Sequence, residues 1–509
     1  MRLCAAGIWT GNPSTPWQHA MDISNARVQR RHDDTSSADL RFSGGWILPG
    51  LIDAHLHLTL GSLSLTQLDL AGTTSHSDFM ERIARRHALL PAGQWLEAFG
   101  WDESLWGGGQ PDASWLEPVG ERPAVAWRCD QHVALCNRAA LALLDLSRDV
   151  AGGTIARDAS GRPTGLLLEQ AAWQLLIPRI PTPPIEEQRS AVQMGCRHLL
   201  SLGVTAVGAM EYLQQVEEVL DPLRRNARLG VRVAVTVLDR ASPLPIDRAR
   251  RIERCESLRV IGFKSFADGT LGAATAAMID PYENAAGSGT LVEHALEGTL
   301  EAWMREVLAA DYSPSVHAIG DRALAETLAC AERCDPTRRV RFEHAQTVDP
   351  ASHCRFAGRR VSMQPLHKFG DSPVARARLG EQRMNRVFRF RDFHAHGACL
   401  AFGSDWPIVS ASPIEGMRCA ITGITRDGSL QGVDQSLTPT EAIDAYTIDA
   451  ARCLESWEGI GTLAHGAHAD MVVLDRNPLA CDWLRDPPRV LCTIVDGRIA
   501  HDGRSAVRA

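Results

Sequence analysis

The residues of this 509-residue sequence that are best suited to hold a metal ion stand at the ends of short apolar segments. Two of them, His55 and His57, are two positions apart, so on a β-strand both imidazoles point to the same side and reach one metal. Imidazole and oxygen ligands without a thiolate are typical of zinc, with Mn²⁺, Fe²⁺ or Co²⁺ as alternatives. Six ionisable residues at such ends are expected to converge on one site: His55, His57, Lys264, His317, His344 and Asp405.

The stretch VIGFKSFADGT, residues 260–270, contains a lysine within a run that otherwise predicts a buried strand. An ammonium group is seldom buried without a partner, because it loses its hydration there. Two interpretations of Lys264 follow. It is either a structural lysine paired with Asp268 or another carboxylate, or an amine that serves the metal site.

A second HxH pair, His394 and His396, precedes Gly397, where a helix is expected to end. Histidines are favoured beside the last carbonyls of a helix. This helix comes before a barrel strand, so we expect the pair at the opposite end of the barrel from the candidate ligands and assign it no metal role. His465 and His468 fall outside the predicted barrel, and we expect both at the surface.

Eight short apolar segments alternate with helix-like segments, an order that predicts a parallel sheet. Eight such units close into a (β/α)8 TIM-like barrel, an α/β fold whose active site is built at the carboxyl ends of the strands. The candidate ligands stand at those ends in five of the segments. The eight segments are 46–58, 203–210, 231–238, 259–268, 312–321, 339–346, 360–365 and 398–407.

The interval between His57 and Gly203 is far longer than a connecting loop. It predicts a large insertion after strand 1, at about residues 65–180, that forms a subdomain or a lid over the barrel mouth. The tryptophans of the insertion indicate an apolar or aromatic substrate group or, as the commoner explanation, the core of that subdomain. These residues include Trp95, Trp101, Trp106 and Trp115.

The two ends of the chain each contain short strands with turn residues. They predict a small β-sandwich domain built from both termini, residues 1–50 and 460–509. The barrel domain is expected to span residues 51–459 and to carry the insertion.

Composition and charge exclude several classes of function. A net charge of −8 without a basic run argues against nucleic-acid binding. No apolar stretch approaches the roughly 20 residues needed to cross a bilayer, and the start of the chain is not a persuasive signal peptide. The 13 scattered cysteines, without a CxxC pair, indicate free thiols in a reducing compartment. We therefore expect a cytoplasmic protein with a small-molecule substrate, no nucleic acid and no membrane partner; a homo-oligomer is compatible with the sequence.

Six motifs follow one another along the chain: LPGLIDAHLHL, FKSFADGTLG, HAIGDRA, FEHAQ, MQPLH and FGSDWPI. In this order they resemble the amidohydrolase superfamily. In detail they resemble its amidohydrolase-3 branch, which includes YtcJ-like proteins and the N-substituted formamide deformylases. The segment GWDESLWGGGQPD of the insertion is similar to the same branch. One departure concerns Ala273 and Ala274, in a loop where relatives often carry an arginine.

The resemblance implies a site for two metal ions per chain, usually zinc. Asp405 is implied to hold the more buried metal together with His55 and His57. The second metal is implied to be held by His317 and His344.

The resemblance also implies that Lys264 bridges the two metals as a carbamate, formed when its neutral amine reacts with CO₂. Burial and nearby positive charge lower the pKa of a lysine, which favours that neutral amine. The alternative is a mononuclear site with an unmodified Lys264.

The activity implied is hydrolysis by a metal-activated hydroxide, because a metal lowers the pKa of bound water from about 16 toward about 7. Asp405 is expected to accept the proton of that water and pass it to the leaving nitrogen; the alternative is a purely structural ligand. The expected bond is a non-peptide C–N bond, such as an amide or N-formyl group of a small molecule. Alternatives are a lactone, a carbamate or an N-acyl amino acid, and a non-catalytic binding protein with a vestigial metal site.

Five further polar residues follow strand ends or lie in the insertion. Each is a candidate for substrate binding and, equally, for fixing a loop or a ligand in place. They are His132, Asp321, Arg322, Gln364 and His367.

Overall fold

Eight parallel strands follow one another in chain order around a barrel. The computed structural model describes residues 1–129, 131, 133–147, 150, 153–455 and 457–504. In it, each predicted barrel segment overlaps one of the eight strands. The barrel is closed by hydrogen bonds between the end of the first strand and the segment that follows the last strand. The N–H of Asp405 donates to the carbonyl of His55 at 2.6 Å, and the N–H of His57 to the carbonyl of Trp406 at 2.9 Å. The predicted barrel is confirmed.

The strands form three sheets: a barrel of β5 and β12–β18, a terminal sheet, and a sheet within the insertion. Numbered along the chain, they are β1 (Arg2–Trp9), β2 (Trp17–Ser24), β3 (Arg27–His32), β4 (Leu40–Pro49), β5 (Leu51–Leu56), β6 (Leu68–Asp69), β7 (Leu96–Trp101), β8 (Ala124–Arg128), β9 (Val133–Cys136), β10 (Gly153–Arg157), β11 (Pro163–Glu169), β12 (Val204–Glu211), β13 (Arg232–Val237), β14 (Leu258–Phe266), β15 (Ser313–Ala318), β16 (Arg341–His344), β17 (Arg360–Met363), β18 (Cys399–Phe402), β19 (Met471–Leu474), β20 (Val490–Val495) and β21 (Arg498–Asp502).

The barrel strands are buried along their length, since side chains alternate between the barrel interior and the surrounding helices. The α-helices are α1 (Leu58–Ser64), α2 (His76–Leu89), α3 (Arg138–Leu141), α4 (Ile185–Ser201), α5 (Leu213–Gln215), α6 (Asp221–Arg225), α7 (Ile246–Arg251), α8 (Glu293–Leu296), α9 (Leu300–Ala309), α10 (Asp321–Cys334), α11 (Pro365–Leu379), α12 (Phe390–Ala395), α13 (Pro413–Thr422), α14 (Pro439–Ala445) and α15 (Ile448–Leu454).

Local sequence signals explain where these helices begin and end. In α13 the hydroxyl of Ser412 accepts the N–H of Glu415, and Pro413 occupies the first turn, where its missing N–H costs nothing. The helix stops at Gly423, whose φ of +75° is accessible to glycine at little cost. Such caps fix both ends of α13, the helix that follows β18 and Asp405 along the chain.

The strands of both termini, predicted to form a small β-sandwich, lie in one seven-stranded sheet, in the order β21-β20-β19-β4-β1-β2-β3. Strand β4 pairs in parallel with β1 and antiparallel with β19. Apolar residues of both ends, including Ile47 and Val473, share one buried core.

The insertion forms a compact unit of its own, Leu60–Ala191, and the rest of the chain, Met1–Thr59 with Val192–Ala509, forms the other. The inserted unit contains the six-stranded sheet β10-β11-β9-β8-β7-β6. The aromatic rings of Trp101, Trp106 and Trp115 pack in its core, at centroid distances of 6.2 Å and 5.1 Å between successive rings. This packing accounts for these three tryptophans without a substrate. A lid role for the unit stays a prediction.

The prediction for His468 is wrong, because the residue is buried. Its Nδ1 lies 2.9 Å from Nη2 of Arg232 and its Nε2 lies 3.1 Å from a carboxylate oxygen of Glu256. The imidazole thus fills a polar contact between the terminal sheet and β13, which a reading of the local sequence does not reveal. His465 is exposed, as predicted. In the described part of the chain, no helix has the length and hydropathy needed to cross a membrane.

Candidate metal centre

Three buried side chains from three barrel strands bring potential ligand atoms to one point. The ligand atoms of His55, His344 and Asp405 all lie within 4.8 Å of one another. Oδ1 of Asp405 is 3.4 Å from Nε2 of His55 and 3.3 Å from Nε2 of His57. The two imidazoles of the HxH pair therefore face the same carboxylate oxygen, as their spacing on β5 predicts.

The other two candidate imidazoles adjoin this group. The ring of His344 lies 4.9 Å from that of His55 and 4.5 Å from that of His317, measured between centroids. His317 ends β15 and His344 ends β16, so neighbouring parallel strands deliver them side by side. The structure thus brings all four predicted histidines together at the carboxyl end of the barrel.

In each of three imidazoles, one ring nitrogen is fixed by a hydrogen bond to an acceptor oxygen. Nδ1 of His55 is 2.7 Å from Oε2 of Glu343, and Nδ1 of His344 is 2.9 Å from Oε1 of Gln364. Since both oxygens are acceptors, each Nδ1 carries the proton and each Nε2 keeps its lone pair. In His317 the roles are exchanged, because Nε2 donates to the carbonyl of Gly269 at 3.1 Å and Nδ1 is left free.

Lys264 lies inside this group, 1% exposed, with its Nζ 3.1 Å from Nε2 of His55. Among the described residues, no carboxylate reaches Nζ at ion-pair distance. The carboxylate of Asp268 instead accepts backbone N–H groups, including that of Gly320 at 2.7 Å. The structural pairing of Lys264 with Asp268, one of the two interpretations, is therefore absent.

Burial sets the protonation of these groups. Burial, together with the nearby Lys264, lowers the pKa of His317 to about 3 and that of His55 to about 4. Burial also lowers the pKa of Lys264. Burial alone would raise the pKa of Asp405, but the nearby His55 and His57 hold it well below its usual range. The site therefore presents neutral imidazoles and an ionised carboxylate, the forms that bind metals.

The backbone at Asp405 is held in an unusual conformation, with φ of +60°. A network beneath it supports this conformation. The Oγ of Ser404 donates to Asp53 at 2.5 Å and accepts the N–H of Trp406 at 3.0 Å. Gly403 passes so close to β5 that a Cβ there would lie 2.5 Å from the amide nitrogen of His55. The GSDW motif, residues 403–406, thus holds the carboxylate next to the HxH pair.

Two of the candidate substrate residues lie at the site. Gln364 is buried and holds His344, as described above. The ring of His367 stacks on that of His344 at 5.9 Å, and its Nε2 lies 3.6 Å from Oδ2 of Asp405. Gln364 acts on a candidate ligand, whereas His367 stands beside the candidate carboxylate.

The side chains of Asp321 and Arg322 contact residues outside this group. Asp321 is buried, where it accepts the N–H of Ile279 at 2.7 Å and pairs with Arg386 at 3.0 Å, so it fixes a loop. Arg322 lies 3.9 Å from Glu326 on the same helix. His132 lies outside the described residues.

Sequence reasoning missed the carboxylate of Glu343, which is completely buried and contacts His55. It also missed the buried Asp53, whose pKa burial raises to about 7. The available signal was the one used for Lys264, a charged residue within an apolar strand. Glu343 stands in the motif FEHAQ, next to a candidate histidine, and Asp53 stands in LIDAHLHL, two residues before another.

The arrangement fits a metal. It combines an ionised carboxylate at Asp405 with ligand atoms of His55 and His344 within 4.8 Å, and a buried amine that no carboxylate of the described residues pairs with. Imidazole nitrogen and carboxylate oxygen suit Zn²⁺ and similar divalent ions.

Comparisons with known proteins point the same way. The sequence model described as Amidohydrolase family matches residues 42–501. "Protein LONG AFTER FAR-RED 3" from Arabidopsis thaliana is 30% identical over 532 residues, covering 96% of this chain and 90% of that protein. N-substituted formamide deformylase from Arthrobacter pascens is 27% identical over 500 residues, covering 91% and 90%.

A solved structure is also similar. It is described as an uncharacterized metal-dependent hydrolase from Pyrococcus horikoshii, and it matches with a TM-score of 0.78 and 27% identity. The match covers 95% of this chain and 99% of that chain.

Proposed function

Because this chain belongs to the amidohydrolase family, and a similar solved structure is described as a metal-dependent hydrolase, we propose that it hydrolyses a non-peptide C–N bond of a small molecule. An amide or N-formyl group is the favoured bond, and the similarity to an N-substituted formamide deformylase supports that choice. The observation that carries the proposal is the convergence of His55, His344 and Asp405 within 4.8 Å.

The proposed centre holds two metal ions, with zinc favoured. Asp405 and the HxH pair serve one ion, through Nε2 of His55 and of His57. The second ion uses the free Nδ1 of His317 and the free Nε2 of His344. The hydrogen bonds that protonate the opposite nitrogens support these assignments.

Lys264 is proposed to bridge the two ions as a carbamate. Its Nζ adjoins a proposed ligand nitrogen at 3.1 Å. Burial lowers its pKa, which favours the neutral amine that reacts with CO₂. An ammonium left beside two dications would be strongly repelled.

The bound ions would supply an activated water nucleophile and polarise the scissile carbonyl. Asp405 supplies the proton transfer. Its low pKa keeps it ionised and ready to accept a proton, and its Oδ2 faces His367 while its Oδ1 faces the HxH pair. The positive-φ backbone at Asp405 holds the carboxylate in a fixed position. A general base needs a fixed position to reach both the water and the leaving nitrogen.

A hydrolysis screen with zinc-loaded protein tests the proposal. It compares N-formyl, N-acyl and cyclic amide compounds with lactones, carbamates and N-acyl amino acids. The matched variants are His344→Asn, at the site, and His396→Asn, at the exposed histidine of the second HxH pair. We expect turnover of an amide or N-formyl compound that is lost in His344→Asn and retained in His396→Asn.

Metal analysis of the same preparations addresses the remaining alternative. A folded protein that binds far less than one zinc ion per chain would be a binding protein with a vestigial site, and the proposal would be wrong. Turnover restricted to lactones or carbamates would keep the hydrolase and change the bond. We further propose a cytoplasmic protein whose partner is its small-molecule substrate, without nucleic acid or membrane, and compatible with a homo-oligomer.

A further inference from the structure

The carboxylate of Glu343 is fully buried inside the barrel, where it contacts a proposed metal ligand. Its Oε2 lies 2.7 Å from Nδ1 of His55. We propose that Glu343 is a positioning residue that keeps the Nδ1 of His55 protonated and so presents Nε2 to the metal. The inference rests on the proposed function, because it assigns a role toward the same metal centre.

The contact is made across the barrel rather than between neighbours in the sheet. Glu343 belongs to β16, whereas His55 belongs to β5, which pairs with β12 and adjoins β18. A ring held from a strand that is not its neighbour is fixed in both its rotation and its tautomer. Hydrogen bonds of this kind to the second nitrogen of a ligating histidine raise metal affinity.

The second oxygen of Glu343 is also fully used. Oε1 accepts the hydroxyl of Ser315 at 2.5 Å and forms an ion pair with Nη2 of Arg341 at 2.7 Å. Nη2 of Arg341 in turn donates to the carbonyl of Ala54, next to His55, at 3.1 Å. The carboxylate is therefore surrounded by donors on every side and has to act as an acceptor toward each of them.

A glutamine at this position would preserve the shape of the side chain but could not accept hydrogen bonds at both of its ends. An amide has one accepting oxygen and one donating nitrogen. If its oxygen faced His55, its NH₂ would meet the donor of Arg341. If its NH₂ faced His55, the ring proton would move to Nε2 and remove the lone pair meant for the metal. Both outcomes weaken metal binding without emptying the space.

The test measures zinc affinity of metal-stripped protein by competition with a chromophoric chelator. Glu343→Gln is compared with Asp470→Asn, a matched control. Asp470 is also a buried carboxylate paired with a buried arginine, Arg232, at 2.7 Å, and it contacts none of the proposed ligands. We expect zinc to bind about 10–100-fold more weakly to Glu343→Gln, and as in the unsubstituted protein to Asp470→Asn.

Glu343→Asp is included in case the glutamine variant does not fold. It retains the charge that Arg341 needs, but its carboxylate is one methylene short of His55, so zinc affinity should again fall. Circular dichroism establishes that each variant is folded under the binding conditions. A change in the visible absorption of the cobalt-substituted variants, absent from Asp470→Asn, provides a second readout of ligand geometry.

The outcomes separate this inference from the function on which it rests. Folded Glu343 variants that bind zinc as tightly as the unsubstituted protein would overturn it, as would an equal loss of affinity in Asp470→Asn. An unsubstituted protein that binds no zinc would overturn the proposed function, and the inference with it.

Discussion

The amine of Lys264 lies 3.1 Å from Nε2 of His55, the atom that also lies 3.4 Å from Oδ1 of Asp405. A buried ammonium in this position would occupy the place of a metal ion and repel it. A neutral amine has no such conflict, and its modification by CO₂ would turn it into an oxygen ligand. The position of Lys264 therefore bears on three proposals: the metal centre, the bridging carbamate and the proton acceptor Asp405.

Lys264→Ala tests the bridge. Without the bridging oxygen, the second ion should bind weakly, so we expect metal content to fall from about two ions toward one per chain. Hydrolysis should fall with it and be partly restored by short carboxylic acids, which supply an equivalent oxygen ligand. Lys368→Met is the control, because Lys368 is also buried but its Nζ donates to the carbonyl of Gly432. Unchanged activity in Lys264→Ala would exclude the bridge.

Asp405→Asn separates proton transfer from metal binding. The amide oxygen can still face the HxH pair, but it cannot accept a proton at neutral pH. We expect kcat to fall by about 10²–10⁴-fold while bound metal remains close to that of the unsubstituted protein. Steady-state kinetics and elemental analysis on one preparation give both values. If the rate fell only in proportion to lost metal, Asp405 would be a structural ligand.

Asp444 gives a pH dependence of stability. Burial, with the nearby Asp449, raises the pKa of Asp444 to about 6 in the folded protein, above the value of about 3.9 in an unfolded chain. The folded state thus holds this proton more tightly, and ionisation costs stability as pH rises from about 4 through 6. We expect Asp444→Asn to melt at a higher temperature than the unsubstituted protein at pH 8.

That difference should shrink as the pH is lowered toward 5, where the native carboxyl group is protonated. Thermal melts in one buffer series measure it. Asp247→Asn is the control, since Asp247 is exposed on α7. A gap in melting temperature that stays constant between pH 5 and pH 8 would contradict the assignment.

Trp101→Phe tests whether the aromatic cluster of the insertion serves packing. Trp101 is completely buried, and its Nε1 donates to the carbonyl of Ala126 at 2.9 Å. Phenylalanine removes that donor and leaves the carbonyl unsatisfied, so we expect a loss of about 1–3 kcal/mol in the free energy of unfolding. The KM for any substrate found should be unchanged. A raised KM at unchanged stability would favour a substrate role for the cluster.

The fold and the metal candidates were predictable because both depend on short-range patterns. A barrel strand such as RVAVTV is an apolar run, and a ligand such as His317 directly ends such a run. Residues whose role depends on a distant partner were not predictable. Glu343 meets His55 across the barrel, and His468 meets Arg232 only after the terminal sheet has packed on β13.

The same distinction explains Asp321. It follows a predicted ligand in the motif HAIGD, which suggests a site residue, yet its carboxylate holds the N–H of Ile279 and Arg386. Proximity in sequence placed it near the centre, whereas the direction of its side chain depends on a loop that returns from after β14. Local patterns give positions along a strand, and long-range packing decides which side chains reach the centre.

The pairing of β4 with β19 has a consequence for the order in which the protein is made. Strand β4 leaves the ribosome before the barrel, but the strand that covers its free edge is made after the barrel. Domains generally fold in order of synthesis. Until β19 is made, the edge of β4 that pairs with it has unpaired backbone N–H and C=O groups, which can pair with other chains. Loss of β19–β21 by early termination would leave that edge open permanently, and such fragments should aggregate even though every residue of the metal centre is present.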